Sequence, residues 1–397
     1  MTVPLGDQSF EVEADGLAMS IGVDPASRVV QSTRGWTSHA TWYNEASQLT
    51  GVVSPHVGRE ADEALAHGLA LRSGDDEHSK RLVLVLPAAH VHATLRRRRW
   101  LTADVEVRAH FGGAVIEPHL ANPPLPDVQD RQVLHLGESS AQISDLVDWL
   151  ATNPDLDPAH RANKRAWQCR GQLLLVVTQA GKGLSIVAGS QATADGALLR
   201  SLLLKQGQAL SEAELEQIID VVNSAIDAKL ANGRRDEHWL QSEIRRRPGL
   251  LRLESPVLRE VPAWRPIGDG VTDDAWGRGF IDLMALDAQG YMEIIETKVA
   301  ADPMLVLQGV DYLDWAERPE QKKRISDRLG SSVDVPYVLH FVIGEGSDGK
   351  TEAGRYALAA ADSLRSDVRF RFSLLRNWRN GGEPEVEMLE FGQLPRR

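Results

Sequence analysis

Residues 280–298 read Phe-Ile-Asp-Leu-Met-Ala-Leu-Asp-Ala-Gln-Gly-Tyr-Met-Glu-Ile-Ile-Glu-Thr-Lys, two apolar segments around a turn, with an aspartate standing inside the first. Asp282 has Phe280, Ile281, Leu283 and Met284 as neighbours, and a carboxylate buried among such side chains is costly unless something binds it. Asp287-Ala288-Gln289-Gly290 has the composition of a turn, so the second segment folds back beside the first as a β-hairpin. On that second strand Glu296 and Lys298 are two residues apart and project to one side. The chain is thereby constrained to a sheet on which an aspartate, a glutamate and a lysine converge.

Those three groups suit a hard divalent cation acting on a phosphodiester. Mg²⁺ takes oxygen ligands at about 2.0–2.1 Å and keeps several waters, so one or two carboxylates plus a phosphate oxygen satisfy it. Asp282 and Glu296 are the candidate ligands, with Mn²⁺ able to substitute. Such a metal polarises the phosphoryl oxygen and lowers the pKa of bound water. Lys298 is placed to hold that water and to balance the charge of the transition state. Glu-x-Lys alone is an ordinary ion-pair pattern; the aspartate one strand earlier and the flanking segments give it weight.

Upstream, Asp236-Glu237-His238-Trp239-Leu240-Gln241-Ser242-Glu243-Ile244 has helical apolar spacing and is stopped by Arg247-Pro248-Gly249. Downstream, Met304 to Trp315 is a second amphipathic segment with Leu305, Gln308 and Tyr312 close to one stripe. The order Glu-x-x-Leu-Gln helix, Asp strand, Glu-x-Lys strand and Gln-x-x-x-Tyr-Leu helix resembles the PD-(D/E)XK nucleases, in the branch that includes the NucS-type mismatch endonucleases and the Shedu-type defence nucleases. Gly277-Arg278-Gly279 resembles the lead-in to the Asp strand in that branch. The resemblance covers roughly residues 233–345. It implies that Asp282 and Glu296 ligate Mg²⁺, that Glu237 adds a helix carboxylate to the metal site, that Lys298 is the catalytic lysine, and that Gln308 is an orienting amide. The activity it implies is Mg²⁺-dependent endonucleolytic cleavage of DNA, in bacterial anti-phage defence or DNA repair. One departure is the stretch between Leu251 and Trp276, where Pro262, Pro266, Gly268 and Gly270 predict a longer loop than that fold needs.

At 397 residues the chain predicts more than one domain. We place the boundary near 208, with an N-terminal α/β region at 1–208, of unknown type and divisible into two small subdomains, and a nuclease domain at 209–397. The expected fold is α/β, the C-terminal core being a mixed sheet flanked by helices. Ser211 and Glu214 form a capping-box signature for a helix running toward Leu230. In the first region, Arg81–Pro87 and Val105–Phe111 read as strands, 61–71 and 88–100 as helices, 172–178 and 183–188 as a hairpin, and the proline-rich 121–131 as a loop. No internal repeat is legible. The lone Cys169 excludes an internal disulfide and fits a reducing compartment. No apolar run reaches about 18 residues and the N-terminus lacks a leader pattern, so a cytoplasmic protein without membrane contact is expected; a homo-oligomer is also expected.

A net charge of −12 is unusual for a DNA partner, because phosphate neutralisation supplies most nonspecific affinity. Cations nonetheless flank the motif: Arg245, Arg246 and Arg247, then Arg278, then Lys322 and Lys323. A further run, Arg96, Arg97, Arg98 and Arg99 before Trp100, could grip phosphate and stack a base, against the plainer reading of a helix end favoured by its dipole. His90 and His92 lack identifiable partner ligands. Gly344 to Thr351 matches the phosphate-loop pattern G-x-x-x-x-G-K-[ST] after an apolar strand. Too little chain follows for a nucleotidase core, so ATP or GTP binding is the least favoured reading. An inactive nucleic-acid-binding protein on the nuclease fold is the principal alternative, and a nucleotide switch the third.

Overall fold

The computed structural model describes residues 15–28, 33–34, 38–45, 48–55, 61–73, 79–102, 104–111, 114–118, 141–161, 164–181, 183–189, 200–267, 276–379 and 383–390. It is an α/β protein with three sheets. The proline-rich 121–131 lies outside the described residues. No helix among the described residues is long and apolar enough to cross a membrane.

The first sheet runs in sequence order through β1 (Thr33–Arg34), β2 (Ser38–Glu45), β3 (Gln48–Pro55), β4 (Ser79–Pro87), β5 (Val105–Phe111) and β6 (Ala114–Ile116). Helices α1 (Ala61–Ser73) and α2 (Val91–Arg98) supply the crossovers that the parallel pairs β3/β4 and β4/β5 require. After α3 (Ser144–Thr152), the second sheet is an antiparallel meander of β7 (Asp157–Arg161), β8 (Lys164–Cys169), β9 (Gln172–Ala180), β10 (Gly183–Ala188) and β11 (Arg200–Leu204). One face of it is covered by α4 (Glu212–Asn232), whose Ile218, Val222, Ala225 and Ile226 join the same apolar cluster as Leu175, Val177 and Ile186. The predicted capping box is present: the Ser211 side chain accepts from Glu214 N, and the Glu214 carboxylate accepts from Ser211 N. α4 thus packs on the second sheet, with Leu230 near its end also touching the cluster beneath α5.

The third sheet contains β12 (Leu258–Pro266), β13 (Trp276–Leu286), β14 (Met292–Val299), β15 (Tyr337–Gly344), β16 (Phe370–Arg376) and β17 (Glu385–Glu390), again in sequence order. It is mixed: β14/β15 and β15/β16 are parallel and the other pairs antiparallel. One face is covered by α6 (Leu305–Ala316), α7 (Pro319–Leu329) and α8 (Arg355–Asp362), the other by α5 (Glu237–Arg246). Much of the segment expected as a long loop is β12. Among the described residues it is an edge strand bonded to β13 alone, where Pro262 and Pro266 are tolerated because an edge offers positions whose N–H has no ladder partner.

The first and third sheets share one hydrophobic core. Leu65 and Leu69 of α1 belong to the same cluster as Val306 and Val310 of α6 and Ala357 and Ala360 of α8. Arg96 and Arg97 run through this interface, only 3 % and 1 % exposed. Arg96 donates to Asp314 at 2.6 Å, and Arg97 donates to Asp311 at 2.7 Å and to Asp62 at 2.5 Å. The phosphate-gripping reading of these two is therefore corrected: their guanidiniums are committed to buried carboxylates. Arg98 donates to the Val105 carbonyl at 2.9 Å, and half-exposed Arg99 reaches Asp314 at 3.5 Å. His92 lies edge-on to Trp276 at 5.6 Å in the same interface.

Candidate active site

The site is set by where two strands part. β13 pairs with β14 only from Leu283↔Ile295 to Leu286↔Met292. Beyond that point β13 continues beside β12 and β14 continues beside β15. Asp282 and Glu296 are the next residues on the two strands, so they face each other across the mouth of the fork. The last ladder pair, Leu283↔Ile295, keeps the two carboxyl groups close, and Asp282 is among the charges that act on Glu296. On β12 the residue opposite this step is Glu260, whose φ of 48° lies in the left-handed region. Backbone held there costs about 1–3 kcal/mol and persists only where its surroundings impose it.

Asp282 is half-buried. Its Oδ2 accepts from Thr297 N at 2.8 Å and from Thr297 Oγ1 at 2.7 Å. Burial pushes its carboxyl above the usual carboxylate range, partly offset by Lys298 and by the Thr297 and Gln241 hydrogen bonds. Glu296 is 2 % exposed, and its Oε1 is buried without a hydrogen-bond partner. Burial and the adjacent Asp282 drive its carboxyl well above the ordinary value, against the pull of Lys298 and Arg265. A native chain rarely leaves a buried acceptor unmatched without cause, since doing so costs about 1–3 kcal/mol. Lys298 Nζ donates to Glu237 Oε1 at 3.2 Å. Burial works against its ammonium, but Glu237, Asp282 and Glu296 together outweigh it and hold the lysine charged. Glu237 is the first residue of α5, whose N-cap Asp236 accepts from Trp239 N at 3.2 Å. Its carboxyl is raised by burial and by Asp282, with Lys298 opposing.

The fork thus gathers Asp282, Glu296, Lys298 and Glu237. Gln308 lies on α6, one helical turn before Tyr312, and among the described residues its amide has no hydrogen-bond partner. Tyr312 belongs to the fork, as Glu296 is among the groups raising its phenol. A Cβ at Gly279 would lie 2.8 Å from its hydroxyl, which is why the chain needs glycine there. Sequence reasoning left Tyr312 on a stripe and gave Arg265 and Gln241 no role. Arg265 donates to Asp311 at 3.2 Å beside the fork. Gln241 donates to Thr297 Oγ1 at 3.2 Å, and its own carbonyl oxygen accepts from Arg259 Nε at 3.2 Å. The Arg259 donor fixes which way the amide points. The amide proton occupies the Thr297 oxygen and leaves the hydroxyl proton for Asp282. Arg259 in turn donates to Asp157 of β7 at 3.2 Å, so support for Asp282 reaches back to the second sheet.

The other predicted contacts fare differently. Arg245 is paired with Asp157, and Arg246 donates to Asp155 at 2.8 Å; both fasten α5 to the second sheet. Lys322 pairs with Glu317 at 2.7 Å and Lys323 with Asp327 at 2.7 Å. Arg247 and Arg278 are exposed. The phosphate-loop match forms a closed turn: Gly346 N donates to Lys350 O, Gly349 N to Gly346 O and Lys350 N to Asp348 Oδ1. Three of its amides are thus committed within the turn and that of Glu345 to Leu375 O, and the next helix begins only at Arg355.

Among the described residues no three His, Cys, Asp or Glu side chains gather closely enough to hold a metal ion on their own. A cation at the fork would rely on Asp282 and Glu296, with water or substrate completing its shell, and this donor set is one that Mg²⁺ accepts. The partnerless Glu296 Oε1 fits such a ligand. Comparisons with known protein families, with curated proteins and with solved structures return no match for this chain.

Proposed function

We propose that the chain is a metal-dependent DNA endonuclease of the PD-(D/E)XK type, working at the β13/β14 fork. The observation that carries this reading is the buried, partnerless Oε1 of Glu296 opposite Asp282, with Lys298 two residues along the same strand. Asp282 and Glu296 would hold Mg²⁺ or Mn²⁺, which when bound supplies Lewis-acid polarisation of the phosphate and a water of lowered pKa. Thr297 orients Asp282 through its backbone N–H and its hydroxyl. The Lys298 ammonium, kept charged by three carboxylates, orients the attacking water and balances charge developing on the phosphoryl oxygens. Glu237 holds the lysine amine in place and is positioned to accept a proton from the nucleophile. Tyr312 and Arg265 close the α6 side of the fork against bulk water. A role in bacterial defence or repair accords with the motif resemblance.

The Glu237–Lys298 ion pair favours a second reading, in which the lysine is structural and the fork binds nucleic acid without turnover. The two separate on supercoiled plasmid in Mg²⁺ or Mn²⁺. Asp282→Ala is expected to abolish cleavage while retaining most DNA affinity, because phosphate grip and chemistry lie in different residues. Cleavage by the Asp282→Ala and Lys298→Ala proteins equal to that of wild type would remove the enzyme.

A further inference from the structure

The first sheet repeats the third. From β1 to β6 the successive pairings are antiparallel, antiparallel, parallel, parallel and antiparallel, and from β12 to β17 they follow the same series. The connections correspond as well. α1 lies between β3 and β4 as α6 lies between β14 and β15, and α2 precedes β5 as α8 precedes β16. A helical turn at residues 15–20 places Leu17 and Ala18 against Val52 and Val85 on the face opposite α1, as α5 packs on Ile295 and Val342.

Register places the correspondence residue by residue. The first β4/β5 pair is Leu82↔Val105 and the first β15/β16 pair is Leu339↔Phe370, so Leu82 matches Leu339. Their partners on the preceding strands are Gly51 and Ile294. Both crossover helices meet these strands through a glycine: a Cβ at Gly68 would lie 3.1 Å from Leu82, and one at Gly309 would lie 3.6 Å from Leu339 and 2.6 Å from Phe341. Carried along the ladder, Glu296 corresponds to Val53, Lys298 to Pro55 and, through the β2/β3 register, Asp282 to Ala40. Val53 and Ala40 are fully buried in the apolar core. The first unit repeats the sheet but neither the fork nor its chemistry: β2 stays paired with β3 through Ala40↔Val53 as far as Ser38↔Pro55, whereas β13 and β14 part at Leu283↔Ile295.

The two units also meet reciprocally. α1 packs on α8, and its counterpart α6 packs on α2, the counterpart of α8. Between them Leu101 and Leu364, at equivalent places after α2 and α8, form an antiparallel bridge. It is flanked by Thr102 N donating to Ser363 O at 2.9 Å and Arg365 N donating to Trp100 O at 2.9 Å. Reciprocal contact of equivalent residues is the mark of an isologous, two-fold interface.

We propose that the first and third units are two copies of one α/β unit joined about a pseudo-two-fold axis through Leu101 and Leu364, only the second copy retaining a reaction centre. The single chain therefore fills with its own first unit the interface that a symmetric partner would otherwise occupy. Resting on the endonuclease reading, this specifies the product: one centre opposed by an inert lobe hydrolyses one phosphodiester per encounter and nicks duplex DNA.

Three measurements on the full chain test it. In a Cys169→Ser background, Leu101→Cys with Leu364→Cys is expected to form an intramolecular disulfide, since an antiparallel pair lies within the Cα separation such a bond spans. It should change mobility on non-reducing gels at unchanged mass. Light scattering is expected to give the monomer mass of 43.7 kDa. With Mn²⁺, supercoiled plasmid should convert fully to open circle before linear product appears. Linear product rising together with open circle, or a dimer whose disulfide joins two chains, would overturn the pseudo-dimer. No cleavage under any condition would defeat the endonuclease reading alone, and the disulfide and mass would still decide the duplication.

Discussion

Glu296→Gln is expected to stabilise the protein while destroying its proposed activity. In the metal-free chain Glu296 is buried, its Oε1 has no hydrogen-bond partner, and Asp282 stands opposite. Gln keeps the shape, removes the charge and offers an N–H₂ that can donate to Asp282. Relieving one unmatched buried acceptor is worth about 1–3 kcal/mol, or roughly 2–10 °C in Tm for a unit of this size. The pH dependence has a definite sign. Burial raises the Glu296 carboxyl in the folded chain, so between the ordinary glutamate value of about 4.3 and that raised value the folded state keeps a proton that the unfolded state has released. Stability must then fall as pH rises through that window. Asp282 and Glu237 are shifted the same way and add to the slope. In EDTA, wild type should therefore melt higher at pH 5 than at pH 7.5, and Glu296→Gln should flatten part of that difference. Divalent metal reverses the ranking: at a hundredfold excess over Kd it stabilises wild type by about 2.7 kcal/mol, and the variant, short of one ligand, should show little shift. Differential scanning calorimetry with EDTA and with Mn²⁺ reads all of this. A Glu296→Gln protein that melts at or below wild type in EDTA at neutral pH would refute the argument that this carboxylate is held at a cost for a ligand.

Two further outcomes are expected. Arg97→Met should destabilise by about 3–5 kcal/mol, the usual effect of leaving buried partners uncompensated, because Arg97 is the common partner of Asp62 and Asp311 between the two copies; thermal melts showing a loss under 1 kcal/mol would deny it that role. Salt titration of DNA binding by the Asp282→Ala protein should give a slope of log K against log salt of about −3 or shallower, since few of the cations near the fork lack a carboxylate partner, and a slope near −8 would mean that a basic surface has been overlooked.

What the sequence discloses of this fold is the part written in local pattern. The Asp287–Gly290 turn and the strand after it fix the hairpin, Ser211 and Glu214 fix the start of α4, and the apolar runs at 81–87 and 337–343 mark the central strands. β12 was hidden because edge position, which licenses its prolines, is a tertiary property. The arginines at 96 and 97 read as surface charge because the carboxylates that hold them from the third unit, Asp314 and Asp311, lie more than two hundred residues away. Tyr312 and Gln241 gain their roles only from the fork, whose existence depends on where one ladder stops. The duplication was illegible for a different reason: it is preserved in strand direction, crossover placement and the glycines at 68 and 309, while the side chains of the fork are not repeated, Ala40 and Val53 standing where the third unit has Asp282 and Glu296.

The acidic balance and the buried arginines bear on one another. With 56 acidic and 44 basic residues the chain has no surplus of cations. Several of them lie inside: Arg97 between Asp62 and Asp311, Arg259 against Asp157, Arg371 between Asp287 and Glu293. Each of these arginines is committed to carboxylates and is withheld from the surface, where the remaining negative charge opposes the approach of a polyanion. At the fork the one lysine is already committed to Glu237 among acidic groups, so the metal-free site offers phosphate no net positive charge. A divalent cation held between Asp282 and Glu296 would be the largest local charge and would invert that sign where the chemistry occurs. On the proposed reading, affinity and reaction are thus switched on by the same ion, and a surface too acidic to hold DNA indiscriminately becomes the means by which an endonuclease is kept from engaging DNA before its centre is complete.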